Sequence, residues 1–245
     1  MAAFDHYVKL SEERMANNLR EGPFLQVYGL AGGEPELRRI RAGEIIVEQL
    51  HTDDHGQPIP VLNGLIHHWR GTVFMPGVTL QQTLAFLEDY DNQYKYYSPD
   101  VERSKLVQRK GNDFKVYLRL RKHKVITVVL NTEYDVRYTL IGSDRATSAS
   151  YSTRIAEVKN PGKPDESEMP VANDGGYLWR LNSYWRFLER DGGTYIQLEA
   201  ISLTRGIPAG LNWLIGPFVT SIPRESMEST LLHTRDGLRH ANADR

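Results

Sequence analysis

The 245-residue chain contains no cysteine, which excludes disulfide bonds, thiol catalysis and zinc–thiolate centres. It has no run approaching the roughly 18 apolar residues that a membrane-spanning helix requires. A large net charge is also missing, because 30 basic and 31 acidic residues leave a formal charge of −1. The composition is that of an ordinary globular protein, and we expect no nucleic-acid partner.

The sequence also lacks the short motifs of common enzyme and metal sites. It has no nucleophile elbow, no HExxH and no nucleotide-binding glycine pattern. Residues 29–33 are glycine-rich, but without a following helix they predict no phosphate site. His51 and His55, with Asp53 and Asp54, match no metal-ligand spacing. We therefore expect neither a bound metal nor a cofactor.

What the chain does contain is a long series of strand patterns. Residues 61–75 alternate apolar and polar side chains, as a half-buried strand does. Similar patterns occur at residues 101–109, 114–121, 124–140, 147–158, 177–190 and 194–205. Short turn sequences such as Asp191-Gly192-Gly193 separate them at hairpin spacing. The spacing predicts one extended antiparallel sheet.

Helical periodicity is confined to a few segments. Residues 4–20 form one candidate helix, and residues 80–90 form another, introduced by a capping box at residues 79–82. Residues 211–238 are amphipathic, and Pro223 predicts a kink between a short helix and a longer one. The predicted fold class is α+β, in which a curved antiparallel sheet wraps around a long C-terminal helix and leaves a ligand cavity.

Four short sequences give this order of elements a family resemblance. They are residues 71–77 (GTVFMPG), 191–195 (DGGTY), 203–208 (LTRGIP) and 211–217 (LNWLIGP). Residues 62–240 resemble the START-like helix-grip superfamily, also called SRPBCC, which includes polyketide cyclase and lipid-transfer relatives. The resemblance implies a cavity for a lipid, sterol, isoprenoid or polyketide, but it implies no single reaction.

Residues 1–61 lie outside this resemblance. We predict an N-terminal helical extension with a short strand at residues 1–61, followed by the helix-grip domain at residues 62–240. The first residues lack the basic and apolar regions of a signal peptide, yet exported bacterial members of the family are similar in this opening. The resemblance therefore favours a periplasmic or otherwise exported location, with the cytoplasm as the alternative.

Strand alternation indicates which side chains face the cavity, since successive side chains point to opposite faces. Ligand pockets are mostly apolar and aromatic, with few polar groups. The predicted ligand-binding residues are His67, Trp69, Leu118, Val128, Tyr134, Tyr138, Trp179, Trp185, Leu198, Leu214 and Phe218. The alternative is a solid core with no usable void, and His67 is then a hydrogen-bonded core histidine. No residue pattern identifies a catalytic group.

Three charged residues alternate with the apolar residues of their strands, so they point to the opposite face of the sheet. Arg154, Arg180 and Glu199 are expected to form an exposed row of ion pairs on the far side of the sheet. The alternative reverses the sheet and makes them the polar floor of the pocket. One predicted hairpin carries the basic residues Arg119, Arg121, Lys122, His123 and Lys124, and its tip is either a solvated turn or a transient contact with anionic lipid headgroups.

These patterns favour a protein that binds, sequesters or transports a hydrophobic small molecule, and less strongly an enzyme. The alternative function is a cyclase or aromatase acting on a hydrophobic substrate in the same cavity. The predicted partner is in both cases a hydrophobic small molecule. A carrier should have an almost wholly apolar pocket, whereas a catalytic pocket should contain groups with shifted pKa values.

Overall fold

A computed structural model of the chain describes residues 1–29, 33–123, 126–170, 173–206 and 212–243, with the backbone alone at 212–220 and 242–243. The helices are Ala2–Glu21 (α1), Gly33–Arg41 (α2), Leu80–Glu88 (α3), Gln93–Tyr96 (α4) and Asn212–Ala243 (α5). The strands are Ile46–Gln49 (β1), Asp53–Asp54 (β2), Gln57–Pro58 (β3), Gly64–Pro76 (β4), Val101–Lys110 (β5), Asp113–His123 (β6), Thr127–Ile141 (β7), Arg145–Lys159 (β8), Ser167–Glu168 (β9), Arg180–Arg190 (β10) and Gly193–Arg205 (β11).

Nine of these strands form one curved antiparallel sheet, which confirms the predicted fold class. Eight of them follow the order β1-β4-β11-β10-β8-β7-β6-β5, and β9 pairs with β8. β10 and β11 join through Asp191 and Gly192, both of which have positive φ. Sequential strands from β5 to β8 are hairpin neighbours, as the turn spacing predicted.

α5 lies across the concave face and packs most closely on β4. A Cβ atom at Gly71 would lie 2.4 Å from Cδ1 of Leu231 and 3.1 Å from Cγ of Met227. Only a residue without a side chain therefore lets the helix approach the strand this closely. Met227, Leu231 and Leu238 of α5 are buried in the main core against the sheet and α3.

The N-terminal residues cover the convex face of the sheet at β4, β10 and β11. Phe4, Tyr7 and Met15 of α1 pack against Ile201 and Leu203 of β11 in a separate apolar cluster. β1 pairs with β4 and extends the sheet at one edge. The described part of residues 1–61 therefore folds onto the same sheet that forms the cavity.

The elements depart from the sequence prediction in two places. No helix was predicted after the glycine-rich residues 29–33, but α2 occupies residues 33–41 and buries Leu37 and Ile40 in a cluster with Phe74 and Tyr195. α5 continues through Pro223, so the predicted division into two helices is wrong. Packing on the sheet stabilises α5 enough to offset the hydrogen bond that a proline removes.

Among the helices in the described ranges, none is both long enough and apolar enough to cross a membrane. In the same ranges, no group of three or more histidine or acidic side chains is arranged to hold a metal ion.

Candidate ligand-binding cavity

A cavity of about 800 Å³ lies between the concave face of the sheet, α5 and the segment from α3 to β5. This volume is in the range of small-molecule sites, roughly 300–1,000 Å³. The walls are aliphatic and aromatic, and each of β4, β7, β8, β10 and β11 contributes residues from one face. Leu118, Leu130, Val136, Leu181 and Met227 are typical of the lining.

The cavity exists because small side chains occupy the centre of the concave face. Ser148, Ser150, Ser183, Ala200 and Ser202 all line it. Protein interiors are otherwise close-packed, so a void requires a local deficit of side-chain volume. Large residues on the surrounding strands and α5 hold the walls apart while these small residues form the floor.

The opening is marked by lining residues that also reach solvent. Ile126 is 51% exposed and Tyr177 is 45% exposed, although both line the cavity. The ionised side chains among the described lining residues are Asp100, Arg121 and Lys122. Lys122 Nζ lies 2.9 Å from Asp100 Oδ2, which also accepts a hydrogen bond from Ser229 of α5 at 2.7 Å.

Eight of the predicted binding residues line this one cavity. They are His67, Trp69, Leu118, Val128, Tyr134, Tyr138, Trp185 and Leu198. The side chains of the predicted residues Leu214 and Phe218 lie outside the described part of the structure. The sequence also predicts residues 211–218 near the cavity mouth, and their side chains likewise lie outside the described part of the structure.

The prediction for Trp179 is wrong. Trp179 precedes the first residue of β10, so the strict alternation that places Leu181 and Trp185 in the cavity does not reach it. It packs instead against the convex-side cluster that contains Tyr7 and Ile201. Its Nε1 donates to Asp174 Oδ1 at 3.2 Å.

Burial keeps His67 and three tyrosines of the cavity, Tyr97, Tyr134 and Tyr138, neutral near pH 7. Desolvation lowers the pKa of His67 to about 4, and His67 Nε2 lies 3.0 Å from the Thr204 hydroxyl. Burial also raises the pKa of Tyr97 and of Tyr134 to about 12. Tyr138 shares a 3.0 Å hydroxyl–hydroxyl contact with Tyr90, and burial raises its pKa as well.

Glu199 corrects the prediction of an exposed ion row. It lies on the predicted face, away from the cavity, but it is 2% exposed because α1 covers it. The Thr52 N–H donates to the Tyr7 hydroxyl at 3.0 Å, and this hydroxyl lies 2.9 Å from Nδ1 of His68. His68 Nε2 donates to Glu199 Oε1 at 2.8 Å, and Arg14 donates to the same oxygen.

The two arginines of the predicted row have other partners. Arg154 pairs with Glu168 of β9 at the surface, while Arg180 donates to the backbone carbonyl of Trp179. In the β10–β11 register, Glu199 lies opposite Tyr184, whereas Arg180 lies opposite Leu203. The three charges therefore form no common row on the sheet.

Sequence reasoning missed the serine residues of the floor. Ser148, Ser150 and Ser152 alternate along β8, at the period that places them on one face. A strand that presents serine rather than valine or isoleucine to an apolar core leaves space there. That pattern indicates a void at this position, whereas the aromatic residues indicate only the walls around it.

No protein-family model matches the sequence, and no curated protein matches it. The structure is similar to the STAR-related lipid transfer protein of Xanthomonas axonopodis, with a TM-score of 0.51 and 17% identity over 78% of this chain and 98% of that chain. It is also similar to human STARD10 (TM-score 0.45, 12% identity, 85% of this chain and 79% of that chain). A third match is the Zhui aromatase/cyclase of Streptomyces (TM-score 0.43, 11% identity, 71% of this chain and 92% of that chain).

Of these three matches, the Xanthomonas structure alone exceeds a TM-score of 0.5, and at this identity it establishes a fold and not a function. Together with the sheet, the terminal helix and the cavity between them, it shows that the chain has the START-like helix-grip fold.

Proposed function

We propose that the protein binds a hydrophobic small molecule, of lipid, isoprenoid or polyketide-like character, and sequesters or transports it. The observation that carries this proposal is the cavity of about 800 Å³ with its aliphatic and aromatic walls. Burying apolar ligand surface contributes about 25 cal/mol per Å², which is enough to drive binding without charged contacts.

The pKa values of His67 and Tyr134 in the cavity favour a carrier over a cyclase or aromatase. General acid–base catalysis works best with groups whose pKa lies near the operating pH. Here desolvation moves the pKa of His67 down to about 4 and that of Tyr134 up to about 12, away from neutrality in both cases. Both shifts come from burial rather than from a neighbouring charge, so neither His67 nor Tyr134 is suited to general acid–base catalysis.

The opening supports a transient membrane contact during loading or release. Exposed Ile126 and Tyr177 lie at the same opening as Arg121 and Lys122. An unpaired basic side chain near an anionic bilayer contributes about 1 kcal/mol. Arg121 pairs with Glu102 and Lys122 pairs with Asp100, so each contributes less than this, and the apolar residues add to it when they enter the headgroup region. Binding to anionic vesicles but not to neutral vesicles is the expected result of a flotation assay.

An apolar fluorescent probe tests the binding proposal directly. Diphenylhexatriene should bind at roughly micromolar affinity, about −8 kcal/mol, and should quench the emission of Trp69 and Trp185. Ala200→Phe places a ring on the cavity floor and should weaken binding at least about 10-fold, because the ring occupies the ligand volume.

Val107→Phe is the matched control, since it adds a ring at a 58% exposed position on β5. It should leave probe affinity unchanged. Equal affinity of the wild-type protein and the Ala200→Phe variant would show that the probe binds elsewhere and would reject the cavity as the site.

A further inference from the structure

Three serines form a contiguous polar patch within the apolar cavity. Ser183 of β10 pairs directly with Ser150 of β8, and Ser148 is the next residue of β8 on the same face. Ser148 is 4% exposed and Ser150 is 9% exposed, so both belong to the buried floor. We call Ser148, Ser150 and Ser183 the serine patch.

Space alone does not explain serine at these positions. Alanine leaves as much room and carries no polar group, and Ala200 occupies the neighbouring floor position opposite Ser183. A buried hydroxyl costs free energy unless it is hydrogen-bonded. The Ser148 hydroxyl has no hydrogen-bond partner among the described residues, and Trp69 Nε1, on the same face, has none there either.

The patch is distant from the charged lining. Arg121 and Lys122 are near the end of β6, where Lys122 pairs with Val128 of β7. Ser150 pairs with Val136, eight residues further along β7, which is roughly 26 Å of strand. Around the serine patch the described cavity wall offers neutral hydrogen-bonding groups, and burying a ligand charge against them would be costly.

We propose that the ligand is a neutral apolar molecule that carries an oxygen function, such as a ketone, ester or alcohol, and that this oxygen is recognised by the serine patch. This inference rests on the proposed function, because it names the ligand class of the same cavity. The apolar body of the ligand then fills the space between the floor and α5.

A chain-matched series of ligands tests this proposal. Hexadecane, methyl palmitate and palmitate would each be used to displace diphenylhexatriene at neutral pH. In the wild-type protein methyl palmitate should bind about 5- to 10-fold more tightly than hexadecane, as one or two hydrogen bonds allow. Palmitate should bind more weakly than its ester, because its charge has no partner at the floor.

Replacing the patch should remove this preference. A triple variant with Ser148→Ala, Ser150→Ala and Ser183→Ala should lose the 5- to 10-fold advantage of the ester while binding hexadecane within about 2-fold of wild type. The single variant Ser183→Ala should lose part of the affinity advantage of the ester. It replaces the triple variant in the test if the triple variant fails to fold. Ser143→Ala, in the exposed β7–β8 turn, should change neither affinity.

The remaining outcomes overturn the inference. Equal affinity for hexadecane and its ester, or an ester preference that survives in the variants, would mean that the serines only provide space. Tighter binding of palmitate would place a charged head at the opening instead. Failure of diphenylhexatriene itself to bind would reject the proposed function and is distinguishable from these results.

Discussion

The carboxylate of Glu199 connects α1 to the sheet through a buried hydrogen-bonded chain. Burial alone would raise its pKa, but the hydrogen bond from His68 and the charge of Arg14 outweigh that effect and lower the pKa to about 2. Glu199 therefore stays ionised under ordinary conditions. Alternation along β11 correctly predicted the face of the sheet on which Glu199 lies. It could not predict that α1 covers this face, because Arg14 of α1 is 185 residues away in sequence.

Glu199→Ala should destabilise the fold by about 3–5 kcal/mol, since it leaves His68 and Arg14 without their shared acceptor beneath α1. Glu133→Ala is the control. Glu133 is half exposed and lies 3.8 Å from Arg154, and exposed pairs of this kind contribute about 0–1 kcal/mol. Urea denaturation measures both changes, and a similar small loss for the two variants would contradict the buried network.

His67 should make stability depend on pH. Its pKa is about 4 in the folded protein against an ordinary value of 6.5, so the unfolded chain takes up a proton at a higher pH than the folded one. The free energy of unfolding should therefore fall as the pH is lowered from about 6.5 to 4, by at most about 3 kcal/mol from this residue.

In His67→Gln this part of the pH dependence should vanish, and denaturant titrations at several pH values measure it. His68, whose pKa burial also lowers, should retain its own contribution in the same direction. An unchanged slope in the variant would mean that His67 is solvated in the folded state.

At the scale of elements, the contact between α5 and β4 depends on Gly71. Gly71→Ala should cost about 1–3 kcal/mol, because the new Cβ would overlap Leu231 at 2.4 Å. Leu231→Ala removes the overlapping atoms, so the double variant should be less destabilised than the sum of the two single variants. Additive losses in urea denaturation would show that α5 does not cross β4 at this point.

The elements also show what sequence patterns can and cannot predict. Long alternating strands and the capping box of α3, where the Thr79 hydroxyl accepts from the Gln82 N–H, were predicted because their causes are local. α2 was missed because its nine residues, which include Gly33 and Pro35, owe their helix to packing of Leu37 and Ile40 on distant strands. The continuity of α5 through Pro223 likewise depends on tertiary contacts.

For the molecule as a whole, the sheet separates two environments. One face holds the apolar cavity, and on the other face the described N-terminal residues cover buried charged and aromatic groups of β4, β10 and β11. Arg186 of β10 is part of this contact, because its guanidinium donates to the backbone carbonyls of Phe24 and Met15. The separate N-terminal extension and the exported location stay predictions, as does the ligand-binding role of the eight cavity residues.

The candidate site was predictable in outline. Alternation placed His67, Trp69 and Trp185 on the cavity face because they lie within regular strands, while Trp179 lies just before one. The size of the void was not predictable, since it depends on how far α5 stands from the serine-lined floor. That distance is set by contacts between elements remote in sequence.

Native mass spectrometry of the purified protein, followed by solvent extraction of any bound species, tests the central claim most directly. We predict a population whose mass exceeds that of the chain by one neutral apolar molecule, or one that takes up a single diphenylhexatriene when the probe is added. The Ala200→Phe variant should lack both species. A protein that carries no small molecule and takes up no probe, while remaining folded, would contradict a ligand-binding cavity.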